Sequence, residues 1–159
     1  MKPVELPVRT DASDICVGIV LSRFNENIGE GLLKGALRFL NENGVDFSQV
    51  MLVRVAGALE IPFALRSLAQ TNRFDALIAL GAVIRGETYH FEVVSNESAR
   101  GISKIAVDFD IPIGNGVLTC ETDEQALARM EQKGYEAAAA AIELVNIVDI
   151  LCESENDAD

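Results

Sequence analysis

The chain has 159 residues, enough for one compact domain with a real core and too few for two domains of ordinary size. Hydrophobic residues make up 49% with only 6% aromatic and no Trp, a balance suited to an aliphatic, Ala-rich core around a buried parallel sheet. A net charge of −12 without a basic stripe excludes nucleic acid as a partner, and no stretch of membrane-span length is free of charges and glycine.

Met1 to Asp14 is a polar, Pro-containing lead that lacks the continuous apolar run of a secretion signal, which points to a cytoplasmic protein. The apolar run Ile15 to Leu21 predicts a first strand ending at Ser22-Arg23-Phe24-Asn25. Ile28, Leu32, Leu33, Ala36, Leu37 and Leu40 follow at helical spacing, and Asn43-Gly44 supplies the stop. Val50 to Val55 predicts a second strand, and Glu60-Ile61-Pro62 opens a second helix, with Pro62 near the first turn where its missing N–H costs nothing. Ala76 to Leu80 is the third strand. A third helix is expected over much of Tyr89 to Ala106, loosened near Gly101, before Ile111-Pro112 leads to a short strand at Val117-Leu118-Thr119. Thr122 or Asp123 then caps a further helical start, and the Ala-rich segment Tyr135 to Leu151 has strong helix propensity. Glu153, Glu155, Asp157 and Asp159 make the end an acidic tail, residues 153–159, expected to be disordered, which leaves 15–152 as the single folded domain.

This alternation of strand and helix implies a mainly parallel sheet with helices on both faces and right-handed crossovers. Ligands in such folds bind at the carboxyl ends of strands, here Ser22 to Asn25, Ala56 to Glu60, Ala82 to Thr88 and the neighbourhood of Thr119. The third of these carries the strongest signal. Gly81 to Glu92, GAVIRGETYHFE, runs from an apolar strand into a helix start and holds the chain's single histidine, His90. Backbone N–H groups left free at such a junction attract anions, and a histidine in the first turn meets the positive end of the helix dipole, which favours a neutral ring able to act as a base. Gly29, Gly31 and Gly35 miss the dinucleotide-binding spacing by one residue, and close helix packing accounts for them. Arg85, Arg129 and Lys133 are the basic residues nearest the candidate site. No nucleophile motif is present, and Cys16, Cys120 and Cys152 form neither a disulfide framework nor a zinc pattern, so reduced thiols and no metal are expected.

Taken together, Ser22 to Asn25, Gly57-Ala58-Leu59-Glu60-Ile61-Pro62, Gly81 to Glu92 and Gly116-Val117-Leu118-Thr119 closely resemble the 6,7-dimethyl-8-ribityllumazine synthase family, in the family's own order and over roughly Ile15 to Leu151. The resemblance implies a flavodoxin-like three-layer αβα sandwich on a four-stranded, mainly parallel sheet. It also implies condensation of 5-amino-6-(D-ribitylamino)uracil with 3,4-dihydroxy-2-butanone 4-phosphate, the penultimate step of riboflavin synthesis, without metal or organic cofactor. By the same resemblance His90 transfers protons, while Phe24, Ala58, Leu59, Glu60, Ala82, Val83, Ile84 and the position of Asn115 contact the ribitylaminouracil. Gly86, Glu87 and Thr88 form the phosphate turn, joined by Arg129 from a neighbouring subunit and assisted by Lys133.

The chain departs from the family's habit at Ala56, where Pro is frequent, at Leu59, where Phe is frequent, and at Asn115, where many members place a Phe beside the heterocycle. Arg129 to Gly134 is shorter than the helix connection of many shell-forming members, so a homo-pentamer with sites between adjacent subunits is the minimum assembly implied. The lead, residues 1–14, would pair with a neighbour's sheet. Two alternatives stand beside this reading: a ribityl-ligand binding or shell-forming homologue without catalysis, and an enzyme of the riboflavin-synthase type that consumes two lumazines.

Overall fold

In the computed structural model, which describes residues 1–157, strand and helix alternate as β1 (Val17–Ser22), α1 (Glu26–Glu42), β2 (Val50–Val55), α2 (Ile61–Gln70), β3 (Ala76–Ile84), α3 (His90–Asp108), β4 (Ile113–Cys120) and α4 (Asp123–Asn156). Single turns of 3-10 helix at Phe47–Gln49 and Ala58–Glu60 lead into β2 and α2. The sheet order is β2-β1-β3-β4, and every pairing is parallel, with Val17 opposite Val50 and Ala76, and Leu77 opposite Ile113. This is the α/β sandwich with helices on both faces that the element order implies.

Alternation along β3 divides the core into two layers. Ala76, Ile78, Leu80 and Ala82 join Ile19 and Leu21 of β1 beneath α1 and α4, while Leu77, Ala79 and Val83 face α2 and α3. Ile19, Leu21, Ile78 and Leu80 are fully buried, each contributing about 1.5–3 kcal/mol by leaving water. β2 and β4 are the sheet edges. On β4, Asn115 Oδ1 accepts the Val117 amide at 3.0 Å and satisfies a donor that no partner strand in the chain can reach.

Four expectations are corrected. The third helix runs unbroken through Gly101, whose missing side chain makes room for Pro62 of α2: a Cβ there would lie 2.6 Å from the Pro62 ring. The last strand extends from Ile113 to Cys120 rather than over three residues, because β3, itself longer than the apolar run Ala76 to Leu80, offers a pairing partner to each residue, Gly114 and Gly116 included. The two helical segments at the C-terminal end are a single 34-residue helix. Thr122 caps it, accepting the Gln125 amide at 3.2 Å, and Gly134 fits against the backbone of α1 instead of ending the helix. Finally, Glu153 to Asn156 continue α4 where a disordered tail was expected, since extending an existing helix gains a hydrogen bond for each residue fixed. The part of that expectation falling on 158–159 lies outside the described residues.

Candidate active site

The chain leaves β1 for β2 on one side and returns to β3 on the other, so the segments following β1 and β3 diverge to opposite faces of the sheet. A crevice opens at their carboxyl ends. Arg23 and Phe24 extend the strand pattern beyond β1, donating to Val55 O at 2.7 Å and Ala56 O at 3.1 Å. Asn25 then turns the chain with left-handed backbone (φ 59°), a conformation its short polar side chain tolerates. Its Nδ2 donates to Ala82 O at 3.1 Å, tying the end of β1 to the end of β3. After β2, Glu60 folds back so that Oε2 accepts the Gly57 amide at 3.1 Å, which fixes the turn Ala58–Glu60.

The turn from β3 into α3 is open. Nothing lies within 4 Å of where a Cβ would stand on Gly86, and residues Arg85 to His90 are exposed. His90 is the first residue of α3, its amide donating to Thr88 Oγ1 at 3.4 Å. Among the described residues the amides of Gly86, Glu87, Thr88 and Tyr89 meet no acceptor in the chain, which leaves a helix start with unsatisfied donors at the rim of the crevice.

These segments enclose a cleft of about 560 Å³. Ten of the residues proposed from sequence line it: Phe24, Ala58, Leu59, Glu60, Ala82, Val83, Ile84, Gly86, Thr88 and His90. Phe24 is 72% exposed, a ring standing in the mouth without an aromatic or cationic partner among the described residues. Glu87 lies on the same turn, exposed and outside the lining. Phe91 and Val94 also line the cleft and were not anticipated; helical spacing could have found Val94, at i+4 from His90 and i+3 from Phe91, but not Phe91 from His90.

Arg129 and Lys133 lie elsewhere in the chain. They line a second cleft of about 580 Å³, between β4 and α4, with Thr119, Cys120, Gln125 and Glu136. Gln125, Arg129 and Lys133 succeed one another at i, i+4 and i+8 on one face of α4, and Arg129 Nη1 donates to Gln125 O at 3.0 Å. Burial pushes the Cys120 thiol pKa up, against the smaller opposing pull of Arg129. Asn115, on the exposed edge of β4, lines neither cleft. A single chain therefore gathers the apolar pocket and the helix start in one cleft and the cations Arg129 and Lys133 in another.

Between the two clefts stands Arg85. Its Nε donates to Glu121 Oε2 and its Nη1 to Glu92 Oε1, both at 2.6 Å, and its guanidinium lies 4.4 Å from the centre of the Phe91 ring. The hydrogen bond from Arg85 holds the Glu92 carboxyl below the usual carboxylate range. Among the described residues no group of His, Cys, Asp or Glu side chains is placed to hold a metal ion, and no helix is long and apolar enough to cross a membrane.

The cleft can stack a flat ring on Phe24, read its edge with the backbone of Ala82 to Ile84, receive an anion on the start of α3 and offer an imidazole between them. Comparison with known proteins agrees with that chemistry. The family model described as 6,7-dimethyl-8-ribityllumazine synthase matches residues 14–149. The 6,7-dimethyl-8-ribityllumazine synthase of Nitrosospira multiformis is 56% identical over 152 residues, covering 96% of this chain and 95% of the relative. That of Nitrosomonas europaea is 52% identical over 155 residues, with 98% and 94% covered, and that of Burkholderia mallei (strain SAVP1) is 58% identical over 141 residues, with 89% and 82% covered.

Proposed function

The chain belongs to the 6,7-dimethyl-8-ribityllumazine synthase family, and from that premise we propose how its residues carry the family's reaction. The enzyme condenses 5-amino-6-(D-ribitylamino)uracil with 3,4-dihydroxy-2-butanone 4-phosphate to give 6,7-dimethyl-8-ribityllumazine, releasing inorganic phosphate and water, as the penultimate step of riboflavin biosynthesis. The single observation that carries the assignment of roles is the cleft at the β1–β3 divergence, where an open helix start and His90 share one wall with a flat-ring pocket.

The pyrimidine rests against Phe24 and is read by backbone groups of Ala82, Val83 and Ile84, with Ala58, Leu59 and Glu60 completing the ribitylaminouracil side. The phosphate is received by the free amides from Gly86 onward and by Thr88 Oγ1, with Glu87 contributing its backbone. Attack of the amine on the butanone carbonyl forms an imine with loss of water. Elimination then breaks the C–O bond to phosphate, and after tautomerisation the ribitylamino nitrogen closes the ring with loss of a second water. Each step moves protons without a protein nucleophile, and His90 moves them in this reading, which its position in the lining of the cleft supports.

Arg129 and Lys133 complete the phosphate site from an adjacent subunit, and Asn115 borders the heterocycle from the same side. What supports this is that these residues lie outside the first cleft of their own chain. A ring of five subunits joined head to tail supplies such a partner to every site, since a heterologous interface that closes repeats one contact around the ring. Exposed Leu127, Leu144, Ile147, Val148 and Leu151 on α4 offer apolar surface for that contact. The lead carries exposed Val4 and Val8 for pairing on a neighbour's edge strand. A cytoplasmic setting suits the three free cysteines.

Mixing the purified protein with both substrates while following lumazine absorbance and phosphate release, with His90→Ala in parallel, tests this directly. Matched release of both products above the uncatalysed rate, and a loss of about 100-fold or more in the variant, is the expected result. Binding of the ribityl compound without acceleration would instead make the chain a non-catalytic homologue.

A further inference from the structure

We propose that Arg85 is a positioning residue for His90: its guanidinium clamps the first turn of α3 to the β4–α4 junction and so fixes where the imidazole stands. The inference rests on the reading of His90 as the proton-transfer group.

Arg85 directly follows the last residue of β3, and its own amide donates to Cys120 O at 2.9 Å. Its side chain then makes three further contacts, to Glu92 on α3, to Glu121 after β4 and to the face of Phe91. Glu121 is held in turn, its amide donating to Gln125 Oε1 at 2.9 Å near the start of α4. One planar cation thus ties the start of α3 to the paired ends of β3 and β4 and to the turn that leads into α4. Lys could not reproduce the arrangement, because a point charge cannot serve two carboxylates through fixed forks while stacking on a ring.

His90 depends on such a clamp. Among the described residues its ring makes no hydrogen bond, its amide has only the long contact to Thr88, and the amides of Gly86 to Tyr89 before it are unpaired, the Tyr89 carbonyl being held by the Glu92 and Val93 amides of the same first turn. The next two residues, Phe91 and Glu92, are the ones Arg85 grips. Arg85 lines neither cleft, and both of its named donors are committed to carboxylates, so it is not placed as a phosphate ligand. Its partners are partly exposed, with side chains 32% and 57% accessible, and exposed ion pairs contribute little to stability. Loss of the clamp should therefore be felt in catalysis more than in folding.

The test is a cycle of Arg85→Met and His90→Ala in the full-length oligomer, with kcat and KM measured for both substrates. Arg85→Met is expected to lower kcat about 10- to 100-fold, the scale of a misplacement of roughly 1 Å, with both KM values within about twofold of wild type. In the His90→Ala background the same substitution should cost no more than about twofold, since it acts through the missing group. Arg85→Lys should restore only part of the rate. Equal losses in both backgrounds would mean a merely structural role, and a raised KM for the butanone phosphate at unchanged kcat would mean a phosphate ligand; either overturns the proposal. So does a wild-type kcat in Arg85→Met beside an impaired His90→Ala. An unimpaired His90→Ala rejects the reading of His90 itself and the clamp with it. If Arg85→Met does not fold, Glu92→Gln and Glu121→Gln each remove one arm and are read the same way: a fall in kcat confined to the His90 background supports the clamp, and unchanged kcat in both overturns it.

Discussion

Replacing Gly134 by Ala places a methyl group where α4 crosses α1, and the outcome should run against the usual sign of such a change. In an unconstrained helix interior, Gly→Ala stabilises by about 1 kcal/mol. Here the added Cβ would overlap the carbonyl of Leu32, with Leu32 Cα only 2.9 Å away, and the obstacle is backbone of a packed helix that cannot rotate aside. Overpacking costs about 1–3 kcal/mol, and against unyielding backbone the upper part of that range, about 2–3 kcal/mol, applies, so after the propensity gain the net loss should be about 1–2 kcal/mol. For a chain of this length that lowers the melting temperature by about 2–8 °C. Gly31 provides the control one turn along the same contact, because the nearest atoms a Cβ there would meet belong to the side chain of Met130, a flexible thioether able to take another rotamer. Gly31→Ala should be neutral or stabilising. Urea unfolding at fixed protomer concentration, with the slope checked for constancy, measures both. Gly134→Ala at or above wild-type stability, or equal losses in the two variants, would refute the account of how α1 and α4 approach.

Three shorter predictions accompany it. Asn115→Phe should lower KM for the ribitylaminouracil by about two- to tenfold, the gain of about 0.5–1.5 kcal/mol expected from an added aromatic contact, and an unchanged or higher KM would remove Asn115 from the site wall. Cys120, whose thiol pKa burial pushes up, should resist alkylation in the native protein and react on unfolding; modification by iodoacetamide at pH 8, followed by peptide mass analysis, would show the reverse if the β4–α4 packing is wrong. Glu92 has its folded-state pKa depressed by Arg85, so its contribution to stability is fully present above the unfolded-state value of about 4.3 and is lost as pH falls through the lower folded value. The difference in urea midpoint between wild type and Glu92→Gln should accordingly stay constant from about pH 7 to 5 and vanish at lower pH; a change between pH 6 and 8 would contradict the ion pair.

The strands and their succession along the chain were legible because apolar runs bounded by turn residues leave few alternatives for a chain that alternates strand and helix. His90 was legible for the same reason, a strand-to-helix junction being visible in GAVIRGETYHFE itself. Glycines misled where their use was contact rather than conformation. Gly101 admits Pro62 and Gly134 admits Leu32, and neither purpose differs in sequence from a helix stop. The length of β4 was hidden because Gly114, Asn115 and Gly116 are weak strand formers that take their conformation from β3. Arg85 looked like a generic basic residue until Glu92 and Glu121, 7 and 36 positions away, were seen to meet on it. The separation of Arg129 and Lys133 from the His90 cleft follows from helix α4 packing beside β4, a tertiary relation that spacing along the chain does not contain.

The most direct test of the account mixes two crippled proteins. His90→Ala and Arg129→Ala subunits, each inactive alone, are unfolded together and reassembled in equal amounts. If His90 of one subunit and Arg129 of its neighbour serve the same site, random assembly around a closed ring leaves about a quarter of the sites with both residues intact, and activity returns to about that fraction of wild type. Mixed oligomers, verified by mass, that remain as inactive as their parents would contradict a site built between subunits.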